Sequence, residues 1–293
     1  MRVVVLAAII VLNGWPTQHR AALHTAKLEA ELRSIVAASG AEIAVAFRTL
    51  DGRSELLIEP DVAFHAASTM KVPVMIELFK QADAGKLSLQ DPLLVRNEFH
   101  SIVDNSLFTL SSGADSDKAV YAADGRTLTL AQLCEAMITV SSNFATNLLI
   151  EKLGVENIRN TVTQLGAEGM QVLRGVEDQK AFDKGLNNST TARGLMVLFE
   201  RIGSGTAVGR KPDAAMVDIL KRQKFNDGIP AGLPKNVAVA HKTGNITRIH
   251  HDAGIVFAKR PYVLVILVRG IQDSKQSGAL MAKMSRAVYN SVR

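Results

Sequence analysis

Apolar residues recur along this chain at two different periods, and the switches between them outline its architecture. Over 22–38 the positions Leu23, Leu28, Leu32 and Val36 fall on one helical face, and Gly40 stops the run. Two stretches suited to strands follow, 42–49 and 54–58, around Asp51-Gly52, a dipeptide that favours a tight hairpin. From about 67 the pattern becomes helical: 69–84 stopped by Gly85, 129–137, 143–153 stopped by Gly154, 157–164, 191–201 and 212–223. The stretches 98–125 and 171–188 are polar or aperiodic, and the second has the length of a functional loop. Strand texture returns at 237–242, 253–258 and 262–268, before a closing helix at 278–292.

Strand-forming segments thus come from both ends of the chain and bracket a helical middle. This order predicts an α/β (α+β) fold in which one antiparallel sheet is completed by both ends and flanked by terminal helices, with an all-helical lobe inserted. The sheet lobe is expected over about 21–62 and 193–293 and the helical lobe over about 63–192. A site belongs in the cleft between them.

Composition narrows the class. With 47% hydrophobic and 21% charged residues the 293-residue chain is neither disordered nor membrane-embedded in character. Its net charge of +6 comes from scattered Lys and Arg without a basic run or interleaved aromatics, so no nucleic acid is expected as partner. Met1-Arg2 and the short apolar run from Val3 to Leu12 have the form of a secretory signal, which places a leader at 1–20 and a catalytic body at 21–293. The processed protein is expected in the periplasm or outside the cell, as a monomer without stable membrane insertion. Cys134 is the one cysteine; it lies on a helical pattern beside Leu133 and Met137 and reads as packing.

Three motifs carry the chemistry. Ser68-Thr69-Met70-Lys71 sets a hydroxyl and an amine three residues apart on a helical face, where an amine of lowered pKa can take the hydroxyl's proton. Ser141-Ser142-Asn143, at a break between helices, offers a second hydroxyl to pass a proton and an amide to hold Lys71 and a substrate carbonyl. Lys242-Thr243-Gly244, at the end of a β-branched strand, offers a cation, a hydroxyl for a carboxylate, and room for close approach. Each piece has a bland alternative as a cap or solvated side chain, and Lys-Thr-Gly alone arises by chance in roughly one chain of this length in fifteen. Their order and context are far more specific.

In that order, from about Leu28 to the C-terminus, the chain resembles the class A β-lactamases within the wider β-lactamase and penicillin-binding family. The resemblance implies a serine hydrolase of the β-lactamase/transpeptidase-like fold, conferring antibiotic resistance and needing no cofactor or metal. It makes Ser68 the acylated nucleophile, Lys71 its proton partner and Ser141 the relay to the lactam nitrogen. Asn143, Lys242, Thr243 and Gly244 then bind substrate, and the backbone N–H groups of Ser68 and Asn245 form the oxyanion hole.

The chain departs from the family in three places. The loop that supplies the water-activating glutamate reads Arg174-Gly175-Val176-Glu177-Asp178, one residue longer between Arg and Glu than the family pattern, so Glu177 is the expected base and Asp178 the runner-up. Ser142 stands where an aspartate is usual. The 98–125 segment is longer than the family leads one to expect. His250-His251-Asp252 superficially suggests a metal site, but adjacent histidines on a strand face opposite ways. The alternatives left open are a D,D-peptidase, penicillin-binding or esterase activity on cell-wall peptides with slow deacylation, and a sensor domain that stays acylated.

Overall fold

The computed structural model describes residues 15–292. The expected leader lies mostly in 1–14, outside the described residues, and a long helix, α1 (Trp15–Ser39), begins the description. Leu28, Leu32 and Ile35 on its inner face are buried, as the apolar spacing requires.

The sheet has five antiparallel strands. Counting only these, β1 (Glu42–Thr49) and β2 (Glu55–Ile58) form the first hairpin, and β3 (Val239–Ile246), β4 (Ile249–Val256) and β5 (Tyr262–Arg269) come from the far end of the chain. Their order is β2-β1-β5-β4-β3, so β1 pairs with β5 along its whole length, from Glu42 opposite Arg269 to Thr49 opposite Tyr262. The near-continuous apolar run of β5 is buried throughout apart from half-buried Arg269, which fits a central strand covered on both faces.

One face of the sheet packs on α1 and on the last helix, Ser274–Ser291, around Phe47, Tyr262, Leu264 and Met284. The other face carries the larger core, which joins the sheet to the helical lobe through Phe64, Met75, Leu149, Phe199 and Val265. In that lobe the helix Lys71–Asp83, here α2, is buried all round from Lys71 to Phe79 and serves as its axle. Against it lie α3 (Leu130–Thr139), started by a Thr129/Gln132 capping box, α4 (Asn143–Leu153) and α5 (Val155–Gln164). Among the described residues no helix is long and apolar enough to cross a membrane.

The fold agrees with the expected architecture, with two local corrections that matter for the site. The helix expected from Thr69 starts as a 3-10 turn, Ala67–Met70, and becomes α-helical only at Lys71. The strand expected to stop at Lys242 runs on to Ile246, and its partner starts at Ile249 rather than Ala253. The polar residues 243, 245, 250 and 252 hid this extension, because polar side chains on buried strands break the pattern that the sheet's core imposes elsewhere.

Candidate active site

Ser68 sits where the chain is bent sharply. Ala67 has φ +46°, a left-handed conformation that costs a non-glycine residue roughly 1 kcal/mol or more. The turn is held by Ala66 N–H donating to Asn188 O (2.9 Å), Ala67 N–H to His65 Nδ1 (3.0 Å), and the Thr69 hydroxyl to Ala66 O (2.6 Å). Half-buried Ser68 faces two adjoining cavities. One is also lined by Ser141, Asn143, Thr243, Gly244 and His250, the other by Asn143, Glu177, Asn188 and Asn245.

Lys71, fully buried at the start of α2, gives its three protons to Ser141 O (2.8 Å), Ser141 Oγ (3.2 Å) and Asn143 Oδ1 (2.7 Å). The expected contact with Ser68 is not among these bonds, because all three ammonium protons are taken. Burial lowers the Lys71 pKa to about 7, against the pull of Asp115 and Glu177, so near neutral pH about half the amine is free to accept a proton. Lys242 is equally buried and donates to the same Ser141 Oγ (3.0 Å) and to Thr243 O (2.9 Å). Burial, and then the charge of Lys71, push its pKa down, and an anion arriving in the cleft would restore the charged form. Since Ser141 Oγ accepts from both lysines, its own proton is left to donate elsewhere. Ser141 also has φ +59°, which aims the hydroxyl and the carbonyl of one residue at the two amines.

Gly244 lets the strand approach the Ser68 turn closely: a Cβ there would lie 3.2 Å from both Ala67 Cβ and Thr69 Cγ2, tighter than ordinary contact. Thr243 is half-buried and Asn245 exposed on the same strand, both at cavity walls.

The loop glutamate is brought in despite the extra residue. Asn143 Nδ2 donates to Glu177 Oε1 (2.7 Å), so the Asn143 amide links Lys71 at its oxygen to Glu177 at its nitrogen. Glu177 is exposed and has φ +62°, so the loop turns left-handed at the carboxylate itself. Asp178 points the other way; its buried carboxylate accepts from Ser101 Oγ (2.9 Å), Ile102 N (3.0 Å) and Ala181 N (3.1 Å), which ties the loop to the 98–125 segment. Arg174 bonds to Leu186 O, Gly175 O and Asn187 Oδ1 and closes the loop's neck.

Residues the motifs did not flag complete the frame. Asn147, one turn along α4, accepts from Val176 N (2.7 Å) and donates to Val176 O (3.0 Å), fixing the residue before Glu177. His250 and His251 have separate partners: His250 Nδ1 meets Ser277 Oγ (2.8 Å), while His251 lies between His65 O (3.0 Å) and Val268 N (3.2 Å), its pKa lowered to about 4 by burial. Asp252 pairs with His241 (2.8 Å) and accepts from Ile229 N (2.8 Å), beneath Lys242. Cys134 is buried and its thiol is pushed up to about 12 by burial, so it is no nucleophile.

A serine next to a strained turn residue, a buried amine of lowered pKa, a relaying hydroxyl and a cleft carboxylate form a set able to acylate the serine and then to activate water. The sequence profile described as "Beta-lactamase enzyme family" matches residues 27–292. Among curated relatives, the extended-spectrum beta-lactamase PER-1 of Pseudomonas aeruginosa is 24% identical over 89% of this chain and 86% of its own length. The beta-lactamase Toho-2 of Escherichia coli is 26% identical over 92% and 90%. Among solved structures, that of PBP-A is similar at 27% identity and TM-score 0.78, covering 91% of this chain and 96% of its own. A mutant of PBP-A, in an acyl-enzyme complex with penicillin-G, is similar at 27% and 0.79 over the same shares.

Proposed function

The chain belongs to the beta-lactamase enzyme family, and from that premise we propose that it is a class A-type enzyme whose deacylation base is Glu177. It is a serine hydrolase that opens the β-lactam ring through an acyl-enzyme. In the first step Ser68 Oγ bonds to the lactam carbonyl carbon and gives its proton to the neutral Lys71 amine. The tetrahedral oxygen is held by the Ser68 and Asn245 N–H groups. As the C–N bond breaks, the Ser141 hydroxyl gives its proton to the lactam nitrogen and is reprotonated from Lys71, so the proton taken from Ser68 ends on the leaving group. Lys242 and Thr243 hold the substrate carboxylate. In the second step Glu177 takes a proton from water as the water oxygen bonds to the ester carbonyl carbon; as the bond from that carbon to Ser68 Oγ breaks, the proton passes from Glu177 to Ser68 Oγ, which frees the serine and the ring-opened acid.

The observation that carries this reading is the 2.7 Å bond between Asn143 and Glu177, in a cavity that Ser68 also lines. The names of PER-1 and Toho-2 support a lactamase, and the penicillin-G acyl-enzyme of the PBP-A mutant supports a serine ester as intermediate. The same reading takes the body from about 21 as a monomeric catalytic unit outside the cytoplasm, without a cofactor, after loss of a leader. The likeness to PBP-A keeps a second activity in play, cleavage of terminal D-Ala from cell-wall peptides.

Intact-protein mass and benzylpenicillin loss, followed together, test the proposal. Rapid loss with little adduct is the expected result, with no adduct at all in Ser68→Ala. A lasting adduct with little turnover would transfer the chain to the penicillin-binding side of the family.

A further inference from the structure

The 98–125 segment does more than border the cleft. At its far end Asp115 is buried, and its Oδ2 accepts from two successive N–H groups at the start of α4, Asn143 (2.9 Å) and Phe144 (3.0 Å). Its Oδ1 accepts from Asp117 N (3.2 Å), and the Asp117 carboxylate in turn holds Ala119 N and Val120 N, so the loop carrying Asp115 is itself fixed. The next residue grips the other side of the same turn: Ser116 Oγ donates to Val140 O at 2.6 Å. Two consecutive side chains therefore clamp the Ser141–Asn143 turn before and after its left-handed residue.

α4 needs this help. Its own cap, Ser142, offers a neutral hydroxyl to Ala145 N (3.2 Å), and its first turn contains no acidic residue. The negative charge that a helix N-terminus favours comes instead from Asp115, 28 residues away in the chain. Aromatic packing secures the arrangement, with Phe144 against Tyr121 (ring centroids 4.8 Å apart) and against Phe99 (5.9 Å).

We infer that Asp115 is a positioning residue of the reaction: it fixes the turn that presents Ser141 and Asn143, and it sets a carboxylate behind that turn, near Lys71. Its effect on Lys71 acts through space, since the Lys71 protons are all bonded to Ser141 and Asn143. The charged or titratable groups facing Lys71 are Asp115 and Glu177, which favour the ammonium, and Lys242, whose like charge opposes it. Tyr121 and Asp117 face Asp115 from its own segment.

This inference rests on Lys71 as the proton acceptor of acylation, so the experiment separates the two. The rate of adduct formation on Ser68 by benzylpenicillin is measured from pH 5 to 9 by rapid-quench intact mass, in a Glu177→Gln background and in the same background with Asp115→Asn or Asp115→Ala. Asparagine keeps an oxygen for the two N–H groups and removes only the charge. Loss of that charge lowers the Lys71 pKa further, so the acidic limb of Asp115→Asn should move to lower pH by on the order of one unit. Asp115→Ala should also acylate at least tenfold more slowly, with asparagine restoring part of the rate. An acidic limb that stays in place in a folded Asp115→Asn protein overturns the inference, whether or not the rate falls. A flat profile in the Glu177→Gln background alone would instead overturn the role of Lys71.

Discussion

Lys71 and Glu177 hold the two ends of one amide, and they are held in contrary ways. Lys71 is fully buried, starts a helix that is itself core, and has every proton bonded. Glu177 is exposed, sits in a left-handed conformation on a loop, and is tied by a side-chain bond to Asn143 and by its neighbour's bonds to Asn147. The acylating half is thus part of the fold, whereas the water-activating half is attached to it. Changes in the first should cost stability together with activity; changes in the second should separate the two steps.

The sharpest way to break the comparison is Glu177→Gln. The amide still accepts from Asn143 but takes no proton, so turnover of benzylpenicillin should fall by about a thousandfold while the Ser68 ester accumulates in the mass spectrum. Unchanged turnover would remove Glu177 as the base. Next comes Gly175→Ala: its Cβ would lie 2.6 Å from Asn147 Oδ1, so the bonds to Val176 must give way. Deacylation should slow by about tenfold to a hundredfold with acylation barely altered, as burst kinetics would show. Equal slowing of both steps would mean that the loop is integral to the acylating half. The smallest effect is in the wild type. Because Lys71 must be neutral to accept the Ser68 proton and burial lowers its pKa to about 7, acylation should drop toward tenfold per unit below pH 7 and level off above it. A limb near the ordinary lysine range would mean that Lys71 stays charged throughout.

Much of this was legible in the chain. Local periodicity exposed α1 because it buries one face, and the flanking turn residues Gly40, Asp51-Gly52, Gly85 and Gly154 bounded the first hairpin and the helices of the middle. Ser68, Lys71, Ser141, Asn143, Lys242 and Gly244 could be named because they fall in three short motifs of fixed internal spacing and order. Glu177 could be named but not seated: its positive φ and its bond to Asn143, 34 residues away, are set by tertiary structure that sequence does not reveal. The reach of β3 and β4 beyond the core was hidden by polar residues whose partners lie elsewhere, such as Asp252 on His241. Asp115 was invisible as an individual, since its bonds to Asn143 and Phe144 cross between segments with no shared pattern. The missing carboxylate at Ser142 and the extra length of 98–125 were both noticed, and the carboxylate that does reach this turn, Asp115, lies in that segment.

The pairing of β1 with β5 has a consequence in time. Glu42 meets Arg269 at a sequence separation of 227, in a bidentate carboxylate–guanidinium contact that closes the end of the central ladder. During synthesis the first hairpin must wait, its apolar strands exposed, until nearly the whole polypeptide has emerged. The helical lobe, whose partners are close in sequence, has no such delay. Assembly of this protein is therefore limited by the arrival of its last quarter, and until then the chain holds a formed lobe beside a sheet that does not yet exist.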